Sequence, residues 1–319
     1  MISSGIKLSV IMLSYNHAAY VEAALQSVLN QKTSFAFEIL VGDDASVDGT
    51  PGVIERYARQ YPGRITPVLR AQNIGATRNL FDLMTRARGD YLAYLECDDY
   101  WTDPLKLQRQ FDFLESNPEY IGCTHKIAVV DNDGKRILNE ISWISKKENY
   151  TLADFKGIFL PGQVNSLVHR NIFRESGTRY QELITLHPVI ADRSLCLLLA
   201  SKGAIRQLPQ EMGCYRSPAP ERGSATAVLY DANPKRSWDD YVYTKQLEAY
   251  AHQTLKAKAS FGYHKQNLLF EAVYNWFRRP RKENFSIVIR MLRSEKSVLY
   301  FFSIFTVFVR KIIAKLKRG

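Results

Sequence analysis

Tyr91-Leu92-Ala93-Tyr94-Leu95-Glu96-Cys97-Asp98-Asp99-Tyr100-Trp101 is the stretch whose reading decides the fold. Its first five residues are apolar at every position, so neither face of the strand they form can meet water. Strands buried on both faces belong to parallel sheets covered by helices on each side. Leu8–Leu13, Phe37–Val41 and Ile65–Leu69 are apolar runs of the same kind. Helical patterns lie between the runs, with Val21, Leu25 and Val28 at i, i+4, i+7, and Leu107, Phe111 and Leu114 at the same spacing. Asp103-Pro104 and Thr50-Pro51 each place an N-cap residue before a proline at the first helical position. Strand–helix alternation implies right-handed crossovers, and the expected class is α/β: an open, mostly parallel sheet flanked by helices.

The rest of the chain has a different texture. Residues 120–217 are mixed: a strand over Ile121–Val130, a turn at Asn132-Asp133-Gly134, a helix around Arg193–Ser201 and a short strand near Ile205. Residues 218–233 are rich in Pro, Ala, Ser and Gly and read as a linker. From 234 onward helical composition dominates. The domain reading is therefore one domain over 1–217, split into a 1–130 half and a 131–217 half, then the linker, then a helical extension over 234–319.

The formal charge of +11 over 319 residues suggests a nucleic-acid binder until it is divided. Residues 278–319 hold twelve Lys/Arg and two acids, while the first 277 residues hold 31 bases against 30 acids. The body is neutral, so no nucleic-acid partner is expected; the tail asks for an acidic one. Cys97, Cys123, Cys196 and Cys214 lack zinc-site spacing and read as thiols in a reducing compartment. Met1–Lys7 has no basic region leading into an apolar run, so no signal peptide is expected. Ser297–Val309 is about thirteen apolar-rich residues, short of the roughly 20 of a membrane-spanning helix.

Ligands of an open parallel sheet bind at the carboxyl ends of its strands. Ser14-Tyr15-Asn16 follows the first run, Asp43-Asp44 the second, and Glu96-Cys97-Asp98-Asp99 the fourth, so five carboxylates converge on one edge. Asp43-Asp44 also reads as a pair of turn-capping residues. Three acids directly after a buried strand resist that reading, because they are costly without a partner. Hard oxygen ligands suit Mg²⁺ or Mn²⁺, and a cation between acids and a diphosphate removes their repulsion. There is no Walker-type run and no G-x-G-x-x-G. A carboxylate cluster without a phosphate loop points to metal-mediated nucleotide binding.

Ser9 through Asn16, Ser27 through Gln31, and Glu38 through Thr50 resemble the N-terminal signature of family 2 glycosyltransferases, enzymes of the GT-A fold. Asn73-Ile74-Gly75, Gly89-Asp90-Tyr91 and Asp99-Tyr100-Trp101 continue it in order, over roughly 7–217. The resemblance implies that Tyr15 and Asp44 hold the nucleotide base, with Asp44 accepting from a ring N–H. Glu96-Cys97-Asp98 stands at the DxD position with Glu for the first Asp. Asp98 and Asp99 are implied to hold the metal and the ribose, and Arg78 to approach the phosphates. The implied general base is Asp192, whose other reading is a plain N-cap, with Leu160–Ser166 lining the acceptor pocket. The implied donor is a nucleoside-diphosphate sugar, UDP-linked by expectation, and the acceptor a glycan or polyprenyl-linked hydroxyl.

One family feature is missing: many relatives carry a His shortly after a Tyr-Arg pair, and here Cys214-Tyr215-Arg216 runs into Ser217-Pro218 without one. Either the metal has fewer protein ligands, or Arg216 or Arg222 neutralises phosphate directly. Two competing classes remain. A sugar-phosphate nucleotidyltransferase resembles a glycine-rich basic loop after the first strand, where this chain has Ser14-Tyr15-Asn16-His17. A non-catalytic nucleotide-sugar-binding module would not need Asp192. At the C-terminus, apolar Val298–Phe302 and Ile304–Val309 precede Arg310, Lys311, Lys315, Lys317 and Arg318. This composition suits an interfacial helix on the anionic inner face of the cell membrane, giving a cytoplasmic, peripheral location; the other reading is a helix packed on the protein's own core.

Overall fold

The computed structural model describes residues 5–138, 141–174, 180–187, 190–217 and 235–295. The chain divides into two units, Met1–Phe155 with Phe159–Arg222, and Lys156–Ile158 with Gly223–Gly319. The predicted linker at 218–233 and the apolar-basic tail at 297–319 lie outside the described residues.

The first unit is built on β1 (Ile6–Ser14), α1 (Val21–Leu29), β2 (Ala36–Asp43), α2 (Thr50–Gln60), β3 (Ile65–Leu69), α3 (Ala76–Arg86) and β4 (Tyr91–Glu96). β5 (Tyr100–Trp101), α4 (Lys106–Ser116), β6 (Tyr120–Val130), β7 (Arg136–Leu138), β8 (Asn149–Tyr150) and α5 (Leu152–Phe155) follow. β9 (Val168–Arg170), α6 (Asp192–Ala200) and β10 (Ala204–Arg216) complete it. The sheet runs β3-β2-β1-β4-β9-β6-β10-β5, with β7 on β6 and β8 on β10. β3, β2, β1 and β4 are mutually parallel, as the four apolar runs require.

Alternate residues explain why these strands are apolar throughout. Val10 and Met12 of β1, Ile39 and Val41 of β2, and Ala93 and Leu95 of β4 join one core with α1, α2 and α4. Tyr94 points the other way, and its hydroxyl reaches Met84 Sδ of α3 at 3.1 Å. α3 also carries Asn79, whose Nδ2 donates to Gly42 O at 2.9 Å. A Cβ at Gly42 would lie 2.5 Å from Asn79 Oδ1, so α3 approaches β2 as closely as it does because Gly42 has no side chain.

Three elements depart from the sequence reading. β9 is an antiparallel three-residue insert between β4 and β6, too short to leave a periodic signal. β10 is thirteen residues long rather than a short strand near Ile205, and its pairing to β6 slips between Leu208 and Gly213. Pro209 falls in that slip, where a missing N–H costs the ladder nothing. Asp103 caps the turn before α4 rather than the helix itself: its Oδ1 accepts from Leu105 N at 2.8 Å, and the helix begins at Lys106.

The second unit contains α7 (Arg236–Ala249), continued by a π-turn over Tyr250–Thr254, then α8 (Gly262–Arg278) and α9 (Lys282–Glu295). Its core is Tyr241, Leu268, Leu269, Ala272, Val288 and Met291. Buried Lys265 ties it together by ion-pairing with Glu248 and Glu295, each at 3.0 Å.

Two glycines test the packing. A Cβ at Gly89 would sit 2.5 Å from the Ser9 backbone nitrogen, whereas one at Gly52 meets nothing within 4 Å. Gly89→Ala is expected to cost about 1–3 kcal/mol, because backbone cannot step aside as a side chain can. Gly52→Ala in α2 should be neutral or stabilise by about 0.5–1 kcal/mol. Urea unfolding of the two variants checks both signs.

Candidate active site

The carboxyl edge is assembled by strand register. Ser14 pairs with Asp43 and Leu13 with Glu96, so the β1, β2 and β4 ends finish level. Two loops are then laced together over that edge. Asp43 is buried, and its carboxylate takes the Ser46 N–H at 2.9 Å and the Ser46 hydroxyl at 2.5 Å. Ser46 Oγ accepts from Asn16 N at 2.8 Å, Asn16 Oδ1 from Val47 N at 3.0 Å, and Thr50 Oγ1 from His17 N at 2.9 Å. Asn16 and Ala45 take positive φ to make these turns. Asp43 is thus the turn-capping residue that one reading of Asp43-Asp44 allowed.

Asp44 is buried too, but it reaches further. Its Oδ1 accepts from Ile74 N at 2.8 Å and its Oδ2 from Gly75 N at 2.9 Å. Gly75 has φ +88°, which a side-chain-bearing residue adopts only with strain. The carboxylate therefore fixes Asn73-Ile74-Gly75 and the start of α3. Tyr15 is partly buried on the β1 loop of the same edge. Arg78 is exposed on the first turn of α3.

Glu96, Asp98 and Asp99 place one carboxylate oxygen each within 4.8 Å of the others. Asp99 is only 1% exposed. Its Oδ1 accepts from Arg216 N at 2.7 Å and its Oδ2 from Asn165 Nδ2 at 2.8 Å. Asn165 Nδ2 also donates to Cys214 O at 3.0 Å, and Trp101 Nε1 donates to Asn165 O at 2.9 Å. Buried Lys106 lies under this corner with its ammonium 3.9 Å from the Trp101 ring centre. Burial pushes Asp99 well above the usual carboxylate range, the neighbouring Asp98 and Glu96 add to this, and the Arg216 and Asn165 hydrogen bonds oppose it. Glu96 is pushed up to about 8, first by burial and then by repulsion from Asp98 and Asp192.

Asp192 opens α6, and burial raises its carboxyl while Arg193 opposes the rise. Its Oδ1 accepts from the next N–H, that of Arg193, at 2.7 Å. This is weaker than the N2 or N3 bond of a working N-cap. Asp192 shares a small cavity with Thr124, Leu160, Pro161 and Gly162. Burial raises Tyr215 first, and the charges of Glu96, Asp99, Asp98 and Asp192 then add to the rise. The stretch Leu160–Ser166 splits: its first residues line the cavity, whereas Asn165 and Ser166 are fully buried and turned inward.

Arg216, one of the two arginines read as candidates to neutralise phosphate, is tied to backbone carbonyls. Its Nε donates to Asp98 O at 2.9 Å, and its Nη1 to Asp131 O at 2.9 Å and Asn132 O at 2.5 Å. The guanidinium lies 4.5 Å from the Tyr20 ring centre. These bonds lock the backbone of the corner; Arg222 lies outside the described residues. The sequence reading passed over His17. Its Nε2 lies 3.8 Å from Asp98 Oδ2, and its Nδ1 is buried with no hydrogen-bond partner among the described residues. The available signal was its position, three residues past Ser14 on the edge where the acids gather.

An open sheet with this carboxylate edge is the GT-A arrangement. The family model "Glycosyl transferase family 2" matches residues 9–177, and the chain belongs to that family. An uncharacterized protein of Mycobacterium tuberculosis is 35% identical over 217 residues, 66% of this chain and 59% of that protein. The chain thus spans about 59% of the length of that relative. The Bacillus subtilis protein TuaG, named for teichuronic acid biosynthesis, is 37% identical over 106 residues, 33% of this chain and 41% of TuaG. Among solved structures, Staphylococcus aureus TarS in complex with UDP-GlcNAc superposes with a TM-score of 0.65 at 17% identity, covering 90% of this chain and 80% of TarS. That likeness establishes the fold.

Glu96 gives a sign that can be tested. A carboxyl held up near 8 retains a proton in the folded state that the unfolded chain has lost, so it lowers stability as pH climbs from about 4.5 to 8. Glu96→Gln should therefore raise the melting temperature at pH 9 and change it little at pH 5. The expected rise is about 2–4 °C for each kcal/mol of relieved repulsion. Adding Mn²⁺ should stabilise the wild type more than the variant in the same thermal-shift series.

Proposed function

We propose that this chain is an inverting glycosyltransferase. It moves a sugar from a nucleoside-diphosphate donor to a hydroxyl of a glycan or lipid-linked acceptor in cell-surface polysaccharide synthesis. The observation that carries the reading is the cluster of Glu96, Asp98 and Asp99 carboxylates at the carboxyl edge of a GT-A sheet, with buried Asp192 among the charges that raise Glu96. A UDP-sugar is the favoured donor, supported by the UDP-GlcNAc of TarS, and the acceptor class is supported by the wall-polymer name of TuaG.

The donor set is all hard oxygen, and its mutual repulsion is relieved by a cation, so Glu96, Asp98 and Asp99 fit Mg²⁺ or Mn²⁺. Asp98 is the open ligand, at 26% side-chain exposure, while Asp99 has both oxygens already hydrogen-bonded. When bound, such an ion neutralises charge on the leaving diphosphate. The chain's own groups do the rest. Tyr15 and Asp44 border the base, Asp44 through lone pairs left after Ile74 and Gly75, and Arg78 serves the phosphates.

Asp192 takes the proton from the acceptor hydroxyl as its oxygen bonds to the anomeric carbon. The bond from that carbon to the diphosphate oxygen breaks, and its electron pair leaves with the nucleoside diphosphate. In-line displacement inverts the anomeric configuration. Burial raises the Asp192 carboxyl toward working pH, which strengthens it as a base. The tail at 297–319 would keep the enzyme on the inner face of the membrane, beside a lipid-linked acceptor.

Asp192→Asn keeps size and hydrogen bonding but removes the base. It should bind UDP as the wild type does yet lose about 10²–10⁴-fold in transfer, the usual worth of general-base help. Isothermal titration with UDP, beside release of nucleoside diphosphate from a panel of nucleotide-sugars, measures the two separately. Near-wild-type turnover in this variant removes Asp192 from the role.

A further inference from the structure

The turn between α8 and α9 carries the most unusual surface of the described residues. Tyr274 and Phe277 on α8 are 51% and 73% exposed, and Phe285 on α9 is 45% exposed. They are not scattered: the ring centre of Trp276 lies 5.1 Å from that of Phe277 and 5.1 Å from that of Phe285. Single exposed aromatics are ordinary, but a contiguous group marks a contact surface. Arg278, Arg279, Arg281 and Lys282 stand in the same corner, all exposed, with Glu283 as the acid beside them. The Arg278 guanidinium lies 5.8 Å from the Tyr274 ring centre.

We propose that this α8–α9 corner is an anionic-membrane contact, in which the rings enter the headgroup boundary and the cations meet lipid phosphate. The chemistry matches on both counts. Aromatic rings favour the bilayer interface, and Arg and Lys can lay their apolar stems along it while their charges reach phosphate. Charge selects the occupant: the first 277 residues are nearly neutral, and along the sequence the excess of bases begins with Arg278 and Arg279 of this corner. The proposal extends the membrane reading of the tail, and adds to it a site made of described residues.

The test uses the full chain and sedimentation with vesicles, either of phosphatidylcholine alone or of equal parts phosphatidylcholine and phosphatidylglycerol. The wild type should bind the mixed vesicles far better than the neutral ones and detach as salt rises. Arg279→Gln combined with Arg281→Gln should lower partitioning about 30-fold, each interfacial cation being worth roughly fivefold. Phe277→Ser should also lower partitioning, with the melting temperature unchanged. If the wild type binds mixed vesicles and both variants bind equally well, the corner is not in contact and the tail acts alone. If the wild type binds neither vesicle, or binds both alike, the corner proposal fails, and absence of binding also ends the peripheral-membrane reading.

Discussion

Three carboxylates with one oxygen each within 4.8 Å of the others at the end of a buried strand repel one another, and the first unit is arranged around keeping them there. Asp99 is the fixed point. Its two oxygens are taken by the Arg216 backbone and the Asn165 amide, which join the end of β4 to β10 and to the 163–166 turn. Arg216 then closes the corner from outside by donating to the carbonyls of Asp98, Asp131 and Asn132. Glu96 and Asp98 are left partly exposed beside it, with His17 Nε2 3.8 Å from the Asp98 carboxylate. The fold thus stores an electrostatic debt that a divalent cation with a diphosphate can relieve.

The same logic separates positioning from binding within one motif. Asp43 and Asp44 are neighbours of equal charge and burial, yet Asp43 spends its oxygens on Ser46, while Asp44 spans to Ile74 and Gly75. One shapes its own loop, and the other carries the α3 entrance to the edge where the base is proposed to sit. Trp101 and Lys106 play a similar supporting part beneath Asn165. Burial pushes the Lys106 ammonium down to about 7, and the Trp101 ring facing it, which attracts a cation, works against that shift.

Much of this was legible in the sequence because the parallel half of the sheet writes itself in continuous apolar runs, with acids at their carboxyl ends. Leu8–Leu13, Phe37–Val41, Ile65–Leu69 and Tyr91–Leu95 all became strands, and Ile121–Val130 became β6 with one residue added before it. The illegible parts have physical reasons. β9 is three residues long, and β10 hides its length behind a slipped register at Pro209. Sequence shows the charge of Arg216 but not the three carbonyls to which its guanidinium donates. His17 was missed because its nearness to Asp98 is a property of how two loops cross, and sequence spacing does not report that.

The central claim is that the Glu96–Asp98–Asp99 corner binds a divalent cation together with a nucleoside diphosphate. Anomalous diffraction at the manganese edge from crystals grown with Mn²⁺ and UDP tests it most directly. The account predicts a single strong peak against the Asp98 carboxylate, with the diphosphate on its far side. A peak elsewhere, or UDP bound at this corner with no peak beside it, would contradict the account.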